Sequence, residues 1–152
     1  MPAAVSIPRS PTDVTPRWLG TVLDAEVRAI DVVPIGTGQT GATYRLTVTY
    51  AGDDSGLPAT FAVKLPSQDE TVRERVALGY RPEHAFYTHV ADLVRVPIPV
   101  SFHCEISEDG GDFVLLLADM APAVQGDQIG GCSPAEAELA VRTCGSTRAH
   151  VV

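Results

Sequence analysis

The sequence has little lysine and no long hydrophobic run, and each shortage excludes a class of protein. Of its 152 residues 11 are basic and 19 acidic, which gives a net charge of −8, and the only lysine is Lys64. Nucleic-acid backbones are bound by clustered cations, so we expect no nucleic-acid partner. The longest hydrophobic run, Phe113 to Ala118, is too short to cross a bilayer, so we expect no membrane partner.

Cysteine is also scarce. Cys104, Cys132 and Cys144 are odd in number and irregularly spaced, which fits neither a disulfide framework nor a zinc site. We expect them to be reduced, half-buried thiols.

The N-terminus lacks the apolar segment of a signal peptide, which predicts a protein of the cytoplasm. Residues 1–14 contain three prolines and predict a flexible arm.

The hydrophobic pattern predicts an α+β fold with a five-stranded antiparallel sheet. Period-two alternation and β-branched residues predict strands at 27–35, 42–50 and 60–65, joined as two consecutive hairpins. Two prolines and then alternation predict an edge strand at 96–106. The continuous apolar run at 113–117 predicts a central strand buried on both faces.

Helical periodicity and capping residues place the helices between these strands. The predicted helices cover 16–24, 69–78 and 135–142. Gly79 and Pro82 are expected to break the second of them, and Pro82 then starts a short helix of its own. That short helix carries Glu83 on one face with Phe86 and Tyr87.

Three glycines between the first two strands form the pattern Gly36-x-Gly38-x-x-Gly41. Glycine allows backbone N–H groups to approach phosphate oxygens without an intervening Cβ. A Rossmann-type NAD(P) oxidoreductase needs a helix after the glycines, whereas the alternation at 42–50 predicts a strand. A glycine-rich hairpin between two strands is instead the arrangement seen in kinases. A plain glycine-rich turn stays open as the structural alternative.

Lys64 and Glu83 extend the glycine pattern in the order that a kinase requires. A lysine on the third strand can neutralise nucleotide phosphates, and a carboxylate on the next helix can orient it. Each residue also has an ordinary explanation, because Lys64 could be a surface residue of an edge strand and Glu83 an acid favoured by the helix dipole. In a kinase, the residues after the central strand, here 118–122, contact the nucleotide base through backbone groups; an ordinary loop at the end of a strand is the alternative.

The chain resembles the N-terminal part of the aminoglycoside-phosphotransferase and choline-kinase-like small-molecule kinases, in the branch of actinobacterial phosphotransferases similar to ecdysteroid kinases. The resemblance covers about residues 16–142. The segments that carry it are the helix around Trp18-Leu19, Ile35-Gly36-Thr37-Gly38-Gln39-Thr40-Gly41 with Tyr44-Arg45, Val63-Lys64, Glu83-His84-Ala85-Phe86-Tyr87, Val96-Pro97, Leu115-Leu116-Leu117-Ala118-Asp119-Met120 and Gly126-Asp127-Gln128-x-x-Gly131-Cys132.

The resemblance implies a protein-kinase-like N-lobe at 15–117, a hinge at 118–122 and the first helix of an incomplete C-lobe at 123–152. It implies transfer of the γ-phosphoryl group of ATP to a hydroxyl of a small molecule, with Mg²⁺ as a cofactor of the full-length enzyme. The residues expected to bind ATP are Gly36, Gly38, Gln39, Gly41, Lys64, Glu83, Ala118 and Met120.

The catalytic loop of such kinases has no counterpart in the sequence. Phosphoryl transfer requires an Asp near the acceptor hydroxyl and a second Asp on Mg²⁺. None of the four histidines opens a His-Gly-Asp-type motif. We therefore expect no catalytic residue and no magnesium ligand in this chain, which predicts a truncated, inactive kinase. The alternatives are a non-catalytic, pseudokinase-like nucleotide-binding module or an unstable fragment.

Overall fold

Five antiparallel strands form one open sheet, which confirms the predicted α+β class. The computed structural model describes residues 6–36, 41–52, 56–127 and 129–145. The strands are β1 (Val27–Pro34), β2 (Ala42–Tyr50), β3 (Thr60–Leu65), β4 (Ser101–Ile106) and β5 (Phe113–Ala118). They lie in the order β1-β2-β3-β5-β4, so β3 and β5 are interior and β4 is an edge strand, as predicted.

In the described parts of the chain, four α-helices flank or follow the sheet. They are α1 (Pro16–Leu23), α2 (Glu70–Val76), α3 (Tyr80–Ala85) and α4 (Pro134–Gly145). The Thr15 hydroxyl caps α1 by accepting a hydrogen bond from the Trp18 N–H at 3.1 Å. Among the described residues, no helix combines the length and the apolar character needed to cross a membrane.

The two faces of β5 pack into two separate hydrophobic clusters. Its side chains alternate, so Val114 and Leu116 face one cluster while Phe113 and Leu115 face the other. The larger cluster lies under α1, and its buried members are Val14, Trp18, Leu19, Leu46, Val48, Phe61, Val63, Leu65, Val114 and Leu116. The smaller cluster has Tyr80 of α3 at its centre. The apolar run of β5 is therefore buried on both faces, as predicted.

The predicted break occurs at Gly79 but not at Pro82, and the chain stays helical from α2 into α3. A 3₁₀ turn at Ala77–Gly79 separates the two helices, and α3 begins at Tyr80. Pro82 is therefore the third residue of α3 rather than its first. Proline is tolerated at this position, because it lies within the first turn of α3. After α3 the chain continues as a π-helical turn at Phe86–Val90.

Residues 6–14 differ from the flexible arm that the prolines predict. Pro8 and Val14 are buried, and Ile7 packs against the larger cluster. The Arg9 guanidinium also lies 2.6 Å from the Asp112 carboxylate in the turn before β5. Apolar contact and an ion pair therefore fix this segment, although it contains a 3₁₀ turn and no longer helix.

Two other boundaries also differ from the sequence prediction. β4 begins at Ser101 rather than at residue 96, because Pro97 and Pro99 have no N–H to donate to a neighbouring strand. α4 continues to Gly145 rather than ending near residue 142. Its start is as predicted, since Ser133 and Glu136 form the reciprocal hydrogen bonds of a capping box.

Candidate functional site

Lys64 and Glu83 form a direct ion pair between the sheet and α3. The Lys64 ammonium nitrogen Nζ lies 2.8 Å from Glu83 Oε1 and 2.7 Å from Oε2. The Lys64 side chain is 22% exposed and the Glu83 side chain is 27% exposed, so the ion pair is partly accessible to solvent. Because β3 is interior, Lys64 is not the surface residue of an edge strand. Glu83 does lie in the first turn of α3, where the helix dipole favours an acid, and it binds Lys64 as well.

The position of Glu83 depends on how α3 is anchored to the sheet. Tyr80, one helical turn before Glu83, is 1% exposed. Its ring stacks on Phe113 of β5 with a centroid distance of 5.1 Å and an interplanar angle of 2°. Its hydroxyl accepts a hydrogen bond from the Ser67 N–H at 3.1 Å. Tyr80 therefore fixes the position of α3 on the sheet and its rotation about the helix axis, and α3 carries the Glu83 that binds Lys64.

The strand register places four further side chains on the same face of the sheet as Lys64. Residues directly opposite each other in an antiparallel pair share a face. Thr43 of β2 and Leu115 of β5 lie opposite Lys64. Arg45 of β2 and Leu117 of β5 lie opposite Ala62, the neighbour of Lys64 on that face. This face therefore combines two cations and a hydroxyl with a small apolar platform.

The predicted glycine-rich loop adjoins this face. Gly36 has a φ of +75°, a conformation that side chains disfavour. A Cβ on Gly41 would lie 2.9 Å from the Leu65 carbonyl oxygen and 3.0 Å from Lys64 Cε. Gly41 thus lets the hairpin pass directly beside the Lys64 side chain. Gly38 and Gln39, which we also predict to bind ATP, lie outside the described residues.

A cavity of about 390 Å³ opens beneath Gly36, between the β1–β2 hairpin and the segment that follows β5. Its lining residues are Ile35, Gly36, Thr43, Arg45, Ala123 and Gln125. This volume lies within the range of small-molecule sites, which combine apolar walls with a few placed polar groups. The cavity, the glycine-rich hairpin and the Lys64–Glu83 pair form the candidate site.

Arg45 is held by Asp119 at the edge of this cavity. Arg45 Nε lies 2.7 Å from Asp119 Oδ2, and Arg45 Nη2 lies 3.2 Å from Asp119 Oδ1. The Asp119 side chain is only 7% exposed, and its Oδ1 also accepts from the Ala121 N–H at 3.1 Å. These hydrogen bonds, led by those from Arg45, lower the pKa of Asp119 below its ordinary value.

Sequence reasoning gave Arg45 and Asp119 no role. Both fall within segments that carry the family resemblance, but they are 74 residues apart in the chain. No periodicity or motif spacing links residues at that separation. The available signal was the register of β2 and β3, which places Arg45 on the face that carries Lys64.

Ala118 and Met120 lie where the sequence predicts, at the end of β5 and just after it. The Ala118 N–H donates to the Val100 carbonyl at 2.8 Å, and the Met120 carbonyl accepts from the Ala123 N–H at 2.9 Å. The Met120 side chain is 50% exposed. The Ala118 carbonyl and the Met120 N–H take no part in these two bonds.

The cysteines differ in burial, which corrects the expectation of three half-buried thiols. Only Cys104 on β4 is partly buried, whereas Cys132 and Cys144 are exposed, because the segment after β5 has little to pack against. Burial, and then the negative charge of Glu83, raise the pKa of the Cys104 thiol to about 11. Cys104 is therefore a protonated, poorly nucleophilic thiol at neutral pH.

Comparisons with known proteins identify no family for this chain. No protein-family model, curated protein or solved structure matches it. The described residues also contain no group of three or more His, Cys, Asp or Glu side chains that could hold a metal ion.

Replacing Asp119 by asparagine is expected to lower the free energy of unfolding at neutral pH by about 1–2 kcal/mol, the scale of hydrogen bonds to a charged group. Because the folded-state pKa of Asp119 is lowered, this stabilisation is present above the unfolded pKa of about 3.9. The stabilisation is lost as the pH falls through the lower pKa that Asp119 has in the folded protein. Urea unfolding between neutral and acidic pH measures the difference.

The matched control for this prediction is Asp31→Asn, which removes the same charge from an exposed position on β1. We expect its effect on the free energy of unfolding to be within about 0.5 kcal/mol of zero. A deficit of Asp119→Asn that stays constant down to the acid limit would contradict the predicted linkage to the Asp119 carboxylate.

Proposed function

We propose that this chain is the ATP-binding lobe of a phosphotransferase that moves the γ-phosphoryl group of ATP to a hydroxyl of a small molecule. The observation that carries the proposal is the Lys64–Glu83 ion pair, with Nζ–Oε distances of 2.8 and 2.7 Å, beside the glycine-rich hairpin. An oriented ammonium group next to a hairpin of small residues is the arrangement that phosphoryl transfer uses to hold ATP.

Each element of the site has a separate task in holding the nucleotide. The Lys64 ammonium neutralises charge on the α- and β-phosphates, and Glu83 holds that ammonium over the sheet. Glycine at positions 36 and 41 lets backbone N–H groups approach the phosphates. The cavity beneath Gly36 accommodates the nucleoside, and the Ala118 carbonyl and Met120 N–H bind the edge of the base.

The proposed reaction transfers one phosphoryl group. The acceptor hydroxyl oxygen bonds to the γ-phosphorus, the bond from that phosphorus to the β–γ bridging oxygen breaks, and the hydroxyl proton is released with ADP as the second product. This chain binds and orients ATP, and we assign none of its residues to the acceptor hydroxyl or to Mg²⁺. Mg²⁺ would neutralise charge on the transferring phosphate when bound.

A second candidate is nucleotide binding without transfer. It is favoured because the residues after the four histidines are Ala-Phe, Val-Ala, Cys-Glu and Val-Val, none of which opens a catalytic loop. A Rossmann-type NAD(P) oxidoreductase is not favoured, because strand β2 rather than a helix follows the glycines. Formation of ADP in the presence of acceptor hydroxyls separates transfer from binding alone.

Thermal unfolding with and without ATP tests the proposal. We expect ATP at about 100 times its dissociation constant to stabilise the protein by about 2.7 kcal/mol. For a chain of this size that raises Tm by about 5–10 °C. NAD⁺ at the same concentration is expected to give no comparable shift. Equal protection by both nucleotides, or none by ATP, would contradict an ATP site.

A further inference from the structure

The Arg45–Asp119 ion pair joins two parts of the chain that border the candidate cavity. Arg45 belongs to β2, which follows the glycine-rich loop, and Asp119 comes directly after β5. The contact is bidentate, with distances of 2.7 and 3.2 Å, and the planar guanidinium therefore fixes orientation as well as separation. The Asp119 side chain is 7% exposed, so water has limited access to its oxygens.

The same two parts also come close to each other at Gly36. Gln125, in the segment after β5, lies directly under Gly36 of the hairpin. A Cβ on Gly36 would come within 2.9 Å of Gln125 Oε1. The segment thus runs back beneath the hairpin, and the cavity is the space between them. The Arg45–Asp119 ion pair and the approach of Gln125 to Gly36 are thus two places where these parts of the chain meet.

The cavity lining matches a nucleoside better than a phosphate chain. Ile35 and Ala123 supply apolar surface, and Thr43 and Gln125 supply a hydroxyl and an amide. Among the described lining residues the only cation is Arg45, and it is paired with Asp119. Lys64 is not among the lining residues of this cavity. The site therefore divides into a nucleoside part and a phosphate part with different anchoring residues.

We propose that Arg45 and Asp119 are a positioning pair that fixes the width of the nucleoside part of the site. The inference rests on the proposed function, because it assumes that ATP binds between the hairpin and the segment after β5. Breaking the pair leaves a buried carboxylate or an unpaired guanidinium and releases the segment from the hairpin. The nucleoside then binds to a wider, less ordered cleft, while Lys64 and Glu83 still hold phosphate.

The test measures binding of adenosine, of inorganic tripolyphosphate and of ATP to the full chain by titration calorimetry. The variants are Arg45→Met, Asp119→Asn and the charge swap Arg45→Asp with Asp119→Arg. Arg45→Lys keeps the charge but loses the bidentate geometry, and it is the second variant if a larger change prevents folding. Glu138→Gln is the matched control, because it breaks an exposed helical ion pair with Arg142.

We expect the two single variants to lose about tenfold in affinity for adenosine, which corresponds to about 1.4 kcal/mol, and to keep their affinity for tripolyphosphate. Arg45→Lys should lie between the single variants and wild type, and the charge swap should recover most of the lost affinity. Lys64→Met should show the opposite pattern, with tripolyphosphate binding lost and adenosine binding kept. A merely structural role of the pair would weaken both ligands together.

Two results overturn the inference in distinguishable ways. If wild-type protein binds ATP but the Arg45 and Asp119 variants bind adenosine equally well, the positioning role is wrong and the proposed function stands. If wild-type protein binds neither ATP nor adenosine, the proposed function fails and the inference fails with it. A parallel loss of adenosine and tripolyphosphate binding also overturns the inference, because it shows general damage to the fold.

Discussion

Lys64→Met is expected to lower the affinity for ATP by about 100-fold while the protein stays folded. The variant removes the ammonium group that bonds to both Glu83 oxygens at 2.8 and 2.7 Å. A hydrogen bond to a charged group is worth about 1.5–3 kcal/mol, and about 2.7 kcal/mol corresponds to a 100-fold change in affinity. Methionine keeps the apolar stem that lies against the sheet, and Glu83 is exposed enough to be solvated. Titration calorimetry with ATP measures the loss.

Three further variants separate the charge of Lys64 from its geometry. Glu83→Gln keeps the shape of the partner but removes its charge, so we expect a smaller loss of about tenfold. Lys64→Arg restores a cation with a different donor geometry and should recover only part of the affinity. Arg17→Met removes a cation from the exposed face of α1 and should leave binding unchanged. Wild-type affinity in Lys64→Met would rule out phosphate binding by this residue.

The largest effect on stability is expected for Tyr80→Ala, which should lower the free energy of unfolding by about 3–5 kcal/mol. Tyr80 is 1% exposed and fills the centre of the smaller hydrophobic cluster, stacked on Phe113 at 5.1 Å. Truncation leaves a cavity and removes the aromatic contact that holds α3 on the sheet. Since α3 carries Glu83, the variant should also weaken ATP binding at temperatures where it is folded. Urea unfolding measures the stability.

Tyr80→Phe keeps the ring and tests the hydroxyl alone. It leaves the Ser67 N–H without the acceptor that lies 3.1 Å away, and we expect a loss of about 1–2 kcal/mol. The phenylalanine variant should bind ATP like wild type, because the position of α3 depends on the ring. A loss below about 1 kcal/mol in Tyr80→Ala would show that the smaller cluster does not anchor α3.

The strands and most of the helices could be predicted because their signals are local. In β2, Tyr44, Leu46, Val48 and Tyr50 recur with period two, and the structure has the strand with the predicted bounds. β5 is a continuous apolar run. Such a run predicts a strand that is buried on both faces, and β5 is an interior strand of the sheet. The pairing of Lys64 with Glu83 is predicted because a lysine on the third strand is followed by a glutamate on the next helix. The structure brings the two side chains together.

The features that sequence reasoning missed depend on neighbouring turns or on tertiary contacts. Pro82 was expected to start a helix, but the preceding 3₁₀ turn moved the start to Tyr80 and made the proline harmless. Prolines predicted a flexible arm, whereas Pro8 is a buried residue of the fold. The contact between Arg45 and Asp119 spans 74 residues, and only the strand register brings its members together.

The single lysine of this chain has a practical consequence for labelling and immobilisation. Amine-reactive dyes, cross-linkers and sensor surfaces have one side-chain target in this protein, Lys64, and this residue lies in the candidate site. Coupling through Lys64 would remove the charge under test and block the hairpin beside it. The exposed thiols of Cys132 and Cys144 lie outside the site and accept the same labels through maleimide chemistry. Any surface-based measurement on this protein is therefore best made through cysteine.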